Sequence, residues 1–263
     1  MDRGDGQGAR VSAVRTEYFS GFGDARLALH RLGEGKPVVL LHGLFSSAEM
    51  NWIRFGHAQQ LADARFEALM PDLRAHGDSA KPHDPAAYPP DVLVRDAEAL
   101  IAHLGLAEYD LVGFSLGART SVRAVLAGLT PRRLVLGGMG LQGLAGWNRR
   151  ADFFLDVIAR YGTVRPGDPA YMAQQFMKAM DVDREAARLL LGTMEDTPPE
   201  ALAEITMPTL VVCGAEDDDN GDPDALAAAL PQGRRATIPG THMGSVTQPD
   251  LGREIVAFLT GIG

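Results

Sequence analysis

The sequence predicts an α/β fold, with a mostly parallel central sheet and helices on both of its faces. Short apolar runs recur along the chain and stop at Gly, His, Pro or Asp, which is typical of buried strands. Segments with helical spacing of apolar residues alternate with these runs, and that order favours parallel strands joined by helices. One long stretch, residues 141–205, has helical patterns but no strand pattern.

The apolar runs predict seven strands, of which the first alternates between polar and apolar residues and should have one exposed face. The strands are expected over residues 25–31, 37–41, 66–70, 109–114, 133–136, 208–213 and 235–238. Helices are expected over residues 91–104, 115–127 and 246–259. Asp91 is a candidate N-cap of the first helix, and Gly105 is a candidate C-cap.

The strand-free stretch divides the predicted domain into two parts. Residues 141–205 are too many for an ordinary loop, so they predict an inserted helical subdomain. Residues 11–140 and 206–263 form the expected α/β core on either side of it. Residues 1–10 are rich in Gly and charge, and they predict a disordered tail.

The net charge of the chain argues against some classes of binding partner. The 263-residue chain has 25 Lys and Arg against 34 Asp and Glu, a net charge of −9 at pH 7. A chain this acidic, without a basic run, lacks the electrostatic footprint of a nucleic-acid-binding protein and is repelled by anionic membranes. We therefore expect a small-molecule substrate, with neither nucleic acid nor a membrane as partner. A monomer or a homodimer is expected.

Cysteine usage and the absence of targeting signals suggest the compartment. The one cysteine, Cys213, allows no internal disulfide and no cysteine-cluster metal site. The N-terminus lacks the apolar core of a signal peptide, and no apolar run reaches the roughly 18 residues of a membrane helix. A cytoplasmic protein is expected. With no P-loop and no H-E-x-x-H pattern, we expect no metal and no cofactor.

The strongest chemical signal is the G-x-S-x-G pattern of residues 113–117, between a predicted strand and a predicted helix. In that context the serine, Ser115, occupies a sharp strained turn that exposes its hydroxyl above a helix N-terminus. Small flanking residues let the neighbouring elements approach. The alternative is a glycine-rich turn with a capping serine. A nucleophilic Ser115 is the interpretation that explains both the glycines and the context.

A serine nucleophile needs a histidine base. Among the candidates, His242 follows the last predicted strand and the break at Pro239 and Gly240. Loops at the carboxyl ends of strands are where open α/β sheets place their sites. The alternative for His242 is an ordinary surface histidine.

An acid should orient the imidazole. The strand 208–213 is followed by four consecutive acids, and position favours Asp217, the first aspartate beyond the strand. Glu216, Asp218 and Asp219 are rivals, and a merely solvated acidic loop is the plain alternative. The end of strand 133–136, another common place for the acid, offers only glycines and Met139.

The chain order Ser115, Asp217, His242 resembles the α/β-hydrolase-fold serine hydrolases, in particular carboxylesterase-like members with a helical cap. Two further motifs are similar to that family: the His-Gly-Leu sequence of residues 42–44, and residues 72–79 after the next strand. Within the second motif Ala75 stands where the family usually has Gly. The resemblance covers about residues 25–260.

The resemblance implies an oxyanion hole built from the backbone N–H groups of Leu44 and Leu116, with Phe45 as the runner-up to Leu44. It implies that His42 and His76 brace two loops by hydrogen bonds, and that residues 141–205 form a cap. The substrate pocket is then expected to be mostly apolar. Its candidate residues are Phe45, Phe114, Met139, Trp147 and Met243.

The expected activity is hydrolysis of a small, mostly apolar carboxylic ester through an acyl-enzyme on Ser115. The same residues would serve a lactone hydrolase, a carbon–carbon bond hydrolase or a cofactor-free perhydrolase of the haloperoxidase type. A non-catalytic ligand-binding receptor of the same fold is the alternative outside enzymes. The motifs alone do not separate these functions.

Overall fold

The computed structural model describes residues 13–261, so the expected tail over residues 1–10 lies outside the described part of the chain. Eight strands form one sheet. The strands are β1 (Arg15–Ser20), β2 (Arg26–Leu32), β3 (Lys36–Leu41), β4 (Phe66–Pro71), β5 (Asp110–Phe114), β6 (Leu134–Gly137), β7 (Thr209–Gly214) and β8 (Gly233–Ile238). The helices are α1 (His57–Asp63), α2 (Val92–Leu104), α3 (Leu116–Leu126), α4 (Leu141–Ala145), α5 (Trp147–Ala159), α6 (Tyr171–Ala179), α7 (Arg184–Leu191), α8 (Pro223–Ala229), α9 (His242–Val246) and α10 (Pro249–Thr260).

The strand order across the sheet is β1-β2-β4-β3-β5-β6-β7-β8. β1 pairs antiparallel with β2 and β2 antiparallel with β4, whereas every other pair is parallel. The carboxyl ends of β3 and β5 are neighbours, with Leu41 opposite Gly113. The chain leaves β4 and returns to the other side of β3, so the strand order reverses at this point. Ligands of open α/β sheets bind at such a point.

The seven predicted strands lie within two residues of β2 to β8, and the mostly parallel sheet is confirmed. β1 was not predicted. Only Phe19 of its six residues is buried, so this edge strand lacks the apolar alternation that marks a half-buried strand.

Two helix ends differ from the sequence prediction. Asp91 precedes α2 but does not cap it, because its backbone is left-handed (φ 53°) and its carboxylate pairs with Arg123 instead. The last helix, expected from residue 246, begins at Pro249, where the missing N–H and the fixed φ suit the first helical position. The short α9 precedes it. Gly105 ends α2 in the left-handed conformation (φ 60°), as predicted.

Apolar clusters lie on both faces of the sheet, and a third cluster lies within the inserted segment. Residues 141–205 contain α4 to α7 and a short 3₁₀ turn, Pro199–Glu204, and none of these described residues is in a strand. Trp147, Val157 and Leu191 are among the buried residues of the third cluster. Phe45 belongs to the same cluster, so this segment packs on the loop after β3.

None of the helices within residues 13–261 is long and apolar enough to cross a membrane.

Candidate active site

Ser115 lies in the sharp turn between β5 and α3. Its backbone is strained for a non-glycine residue, with φ 53° and ψ −110°. A Cβ on Gly113 would lie 2.3 Å from the Gly117 carbonyl carbon and oxygen, and a Cβ on Gly117 would lie 2.0 Å from the Leu41 carbonyl oxygen. Both flanking positions therefore require glycine. The turn places the serine at the carboxyl edge of the sheet.

His242 begins α9, just after β8, and bonds to Ser115. Its Nε2 lies 3.0 Å from the Ser115 Oγ, and its Nδ1 lies 2.9 Å from the Asp217 Oδ2. The imidazole and the carboxylate are both buried, each residue being 8% exposed. These distances form one continuous line of hydrogen bonds from the carboxylate to the serine hydroxyl. The three side chains come from the ends of three different strands.

Asp217 is the member of the acidic run that meets His242. Within residues 13–261, neither Glu216, Asp218 nor Asp219 has a hydrogen bond to the imidazole. Their side chains are exposed, whereas Asp217 turns inward. The Asp219 N–H donates to the Asp217 Oδ1 at 3.2 Å, so both carboxylate oxygens of Asp217 are occupied.

Within residues 13–261, the backbone N–H groups of Leu116, which follows Ser115, and of Leu44, which follows Gly43, have no protein acceptor. Leu116 is the first residue of α3, where the N–H has no partner in the helix. The Leu44 N–H also has no acceptor among the described residues. The Phe45 N–H, by contrast, donates to the His76 Nε2 at 2.9 Å. Of the two candidates in this loop, Leu44 is therefore the one with a free donor.

Two histidines brace this loop against the loop after β4. The His42 Nε2 accepts the Leu73 N–H at 3.0 Å, while the His76 Nε2 accepts the Phe45 N–H. Each ring uses Nδ1 to donate to a carbonyl near its own position, that of Gly43 and of Arg74. Burial lowers the pKa of both rings, that of His76 to about 3. Both therefore stay neutral, with Nε2 free to accept.

Asn51 is a further brace, which the sequence patterns did not reveal. It lies in a π-helical turn, Glu49–Ile53, and is 2% exposed. Its Oδ1 accepts the Gly43 N–H at 3.0 Å. Of the other residues in this turn only Trp52 is buried, so no burial pattern in the sequence marks Asn51.

Asp72 joins the same loops through its carboxylate. Its oxygens accept the N–H groups of Ala48 and Asp78 at 2.8 Å each, and one lies 3.2 Å from the His30 Nε2. The hydrogen bond between His30 and Asp72 raises the pKa of His30. The same bond and the two backbone N–H groups hold the pKa of Asp72 well below its usual range. Among the described residues, His30, Asp72 and Asp78 could hold a metal ion by distance. The hydrogen bonds already made by Asp72 explain the cluster without one.

Phe114, Met139 and Met243 were expected in the pocket. The centre of the Phe114 ring lies 5.2 Å from the centre of the His242 ring, so the two rings are neighbours. Met243 follows His242 and is 48% exposed. Met139 packs in the apolar core on one face of the sheet. The pocket role of these residues stays a prediction.

Phe45 and Trp147 were the other expected pocket residues. The Phe45 ring meets Phe154 of α5 edge-on, with 5.5 Å between centroids. The Trp147 indole N–H donates to the Leu191 carbonyl at 3.1 Å, inside the inserted segment. Phe45 therefore connects the loop after β3 to α5, while Trp147 is held within the inserted segment. Their contact with substrate also stays a prediction.

Glycines after β6 serve close packing around the acid. Residues 138–143 match the G-x-G-x-x-G spacing of dinucleotide loops, so an expectation that the chain lacks this spacing is wrong. Here a Cβ on Gly138 would lie 2.7 Å from the Phe114 ring and 3.0 Å from the His242 ring. A Cβ on Gly140 would lie 2.2 Å from the Gly221 carbonyl oxygen. The spacing is explained by contacts with the acidic loop and the imidazole.

Cys213 is buried in β7, and its thiol donates to the Met139 carbonyl at 3.4 Å. Burial raises the pKa of this thiol to about 11. The thiol stays protonated at neutral pH, so it offers no second nucleophile.

The sheet topology and the serine elbow together define an α/β hydrolase. The chain belongs to the alpha/beta hydrolase family, whose model matches residues 38–253.

Proteins with several different names are similar to this chain in sequence. The chain is 27% identical to a non-heme haloperoxidase of Rhodococcus erythropolis, over 86% of this chain and 93% of that protein. It is 30% identical, over 70% of its length, to the dihydrolipoyllysine-residue acetyltransferase component of the acetoin cleaving system of Pseudomonas putida. The match covers 52% of that relative, so the chain spans about half of its length.

Solved structures share the fold at low sequence identity. An esterase from Exiguobacterium antarcticum superposes with a TM-score of 0.75 at 18% identity, covering 94% of this chain and 99% of that one. At this identity the likeness shows the fold and leaves the substrate open.

Proposed function

We propose that this chain is a serine hydrolase that cleaves a small, mostly apolar carboxylic ester through an acyl-enzyme on Ser115. The observation that carries the proposal is the line of hydrogen bonds from Asp217 through His242 to the Ser115 hydroxyl, at 2.9 and 3.0 Å. A serine hydroxyl is a weak nucleophile until a neighbouring base takes its proton. The strained turn and the buried acid both serve that purpose.

In the proposed mechanism, the Ser115 Oγ attacks the ester carbonyl carbon while the His242 Nε2 takes the hydroxyl proton. The Asp217 carboxylate accepts the hydrogen bond from Nδ1–H, which fixes the useful tautomer and stabilises the imidazolium. The imidazolium then gives its proton to the leaving alcohol. Water, deprotonated by His242, attacks the acyl carbon and releases the acid, and the proton returns to Ser115.

The negative charge on the carbonyl oxygen needs donors that are already in place. The Leu44 and Leu116 N–H groups are the proposed donors, since no protein acceptor within residues 13–261 occupies them. Removing one such donor from a hydrolase typically costs about 10²–10³ in rate. His42, Asn51 and His76 hold the loop that carries Leu44, so they would position this donor.

We further propose that residues 141–205 act as a cap over the site. The contact between Phe45 and Phe154 supports this, because it joins the loop of the proposed oxyanion donor to α5. Phe45 and Trp147 share one apolar cluster, which favours an apolar acyl or alcohol group. Phe114, Met139 and Met243 complete the proposed pocket.

The test is hydrolysis of p-nitrophenyl esters, from acetate to dodecanoate, by the native protein, Ser115→Ala and the control Ser20→Ala. Ser20 is exposed on β1, far along the sheet from the elbow. We expect a preference for short acyl chains, loss of turnover in Ser115→Ala and native turnover in the control. A fluorophosphonate should label Ser115 only. Full activity of Ser115→Ala would contradict the mechanism, and inactivity of the native protein on every ester would contradict the substrate class.

A second candidate is perhydrolysis, favoured by the likeness to the non-heme haloperoxidase over 93% of that protein. Here a carboxylic acid acylates Ser115 with loss of water, and hydrogen peroxide replaces water in the second step to give a peracid. The peracid oxidises bromide to hypobromite and returns to the acid, so acetate, peroxide and bromide supplied with a β-diketone acceptor should give the brominated diketone. The reaction should disappear in Ser115→Ala.

A further inference from the structure

The acidic loop, residues 215–222, is attached to the start of the inserted segment. The Gly143 N–H donates to the Asn220 carbonyl at 2.8 Å, and the Leu141 N–H donates to the Asp222 carbonyl at 3.0 Å. The Asn220 side-chain amide donates to the Gly138 carbonyl at 2.8 Å. The loop that supplies the proposed catalytic acid is therefore held at its far end by the segment that follows β6, and at its start by the Ile238 and Gly240 carbonyls, which accept from Ala215 and Glu216.

One side chain of the inserted segment reaches the same loop from further away. Arg150 of α5 donates a guanidinium N–H to the Asp219 carbonyl. Its guanidinium carbon also lies 5.6 Å from the centre of the Phe154 ring, one turn further along α5. Burial lowers the pKa of Arg150, whereas the nearby carboxylates of Asp219 and Asp217 favour its charged form.

Further hydrogen bonds connect Asp219 to the nucleophile, Ser115. The Asp219 residue that accepts from Arg150 donates its own N–H to the Asp217 Oδ1 at 3.2 Å. The other oxygen of Asp217 receives the hydrogen bond of His242, which in turn meets Ser115. Two sets of hydrogen bonds, one from α5 to the Asp219 carbonyl and one from the Asp219 N–H to the serine hydroxyl, are thus joined through the backbone of Asp219. Four consecutive acids repel one another, so a cation beside this loop reduces that repulsion.

We propose that Arg150 is a positioning residue: by holding the Asp219 carbonyl it restrains the backbone of Asp219, whose N–H in the preceding peptide unit keeps the Asp217 carboxylate oriented toward His242. The inference rests on the proposed function for the roles of Asp217 and His242. It adds that the inserted segment takes part in aligning the acid as well as in covering the site. Arg150 itself touches neither the nucleophile nor the base.

The test compares Arg150→Met with Arg149→Met and Arg150→Lys. Arg149 is the exposed neighbour on α5, and within residues 13–261 it makes no hydrogen bond or ion pair, so it is a matched control. For each variant we would measure kcat and KM with p-nitrophenyl acetate, the melting temperature, and the far-downfield proton resonance of the His242 Nδ1–H. That resonance reports the bond to Asp217 without any substrate.

Arg150→Met should lower kcat by about ten- to a hundredfold with KM within about twofold, because a displaced acid misaligns the base. The Nδ1–H resonance should broaden or shift. Arg149→Met should match the native protein, and Arg150→Lys, which keeps a cationic donor, should recover most of kcat. Native kcat and an unchanged resonance in Arg150→Met would overturn the inference, as would a rise in KM alone, which indicates direct contact with substrate.

The resonance also separates the two proposals. If the native protein neither hydrolyses the ester nor reacts with a fluorophosphonate, the proposed function fails. The effect of Arg150→Met on the Nδ1–H resonance then still decides whether Arg150 orients Asp217. If Arg150→Met does not fold, Arg150→Gln decides: a lowered kcat with a shifted resonance supports the inference, and native kcat with an unchanged resonance overturns it.

Discussion

The Phe45 N–H donates to the Nε2 of His76 at 2.9 Å, across two loops that follow different strands. This bond has two consequences. It removes Phe45 from the possible oxyanion donors and leaves Leu44. It also holds Phe45 in a left-handed backbone conformation (φ 60°), which sets the direction of the adjoining peptide.

We predict that His76→Leu is destabilised, whereas His76→Gln is close to native. Leucine leaves the buried Phe45 N–H without an acceptor, which costs about 1–3 kcal/mol, while the glutamine carbonyl can accept the same bond. Urea unfolding measures the difference. His103→Gln, at an exposed position of α2, is the control. Equal stability of the Leu and Gln variants would show that the bond contributes nothing.

Stability should fall as the pH falls below 6.5. Burial lowers the pKa of His42, His57 and His76 from the ordinary value of 6.5, to about 3 for His76. The unfolded state therefore takes up protons first, so this stability is complete above pH 6.5 and is lost towards the folded pKa values. Each histidine contributes up to about 1.4 kcal/mol per pH unit.

The opposite shift of His30 does not cancel this trend. Its pKa is raised by the hydrogen bond to Asp72, so below pH 6.5 this residue is protonated in both states. Urea unfolding at pH 7.5, 6.5 and 5.5 measures the slope. His76→Gln should flatten it relative to His103→Gln. An unchanged slope in His76→Gln would mean that His76 titrates normally in the folded protein.

If Asp217 orients the base, Asp217→Asn should lower kcat by about 10⁴, because an amide favours the wrong tautomer of His242. Asp218→Asn removes one charge from the exposed neighbouring position and should keep kcat near native. Steady-state hydrolysis of a p-nitrophenyl ester measures both. A similar loss of kcat in both variants would show that the charge of the loop matters, rather than the bond between Asp217 and His242.

Gly117→Ala should destabilise the fold by about 1–3 kcal/mol, since the new Cβ would lie 2.0 Å from the Leu41 carbonyl oxygen, and backbone must shift to make room. The control is Gly192→Ala at the end of α7, where φ is −79° and the nearest atom is 3.5 Å away. Thermal unfolding should separate the two variants. A native melting temperature for Gly117→Ala would show that α3 can move away from β3.

Much of the core could be predicted from local patterns. Buried strands and amphipathic helices carry their periodicity within a few residues, so seven strands were placed within two residues of their positions. β1 failed this test because an edge strand with one buried residue carries no such pattern. The strand-to-helix turn of residues 113–117 could be predicted from the sequence because close backbone contacts require glycine at both Gly113 and Gly117.

What the sequence by itself determined was a favoured set of residues, Ser115, Asp217 and His242, with the acids beside Asp217 as rivals. Only the tertiary structure brought Asp217 rather than its neighbours to His242, occupied the Phe45 N–H, and carried Arg150 to Asp219. The partners in these contacts lie 25, 31 and 69 residues apart in the chain. Local propensity acts over a few residues, whereas such contacts depend on how sheet and helices pack together.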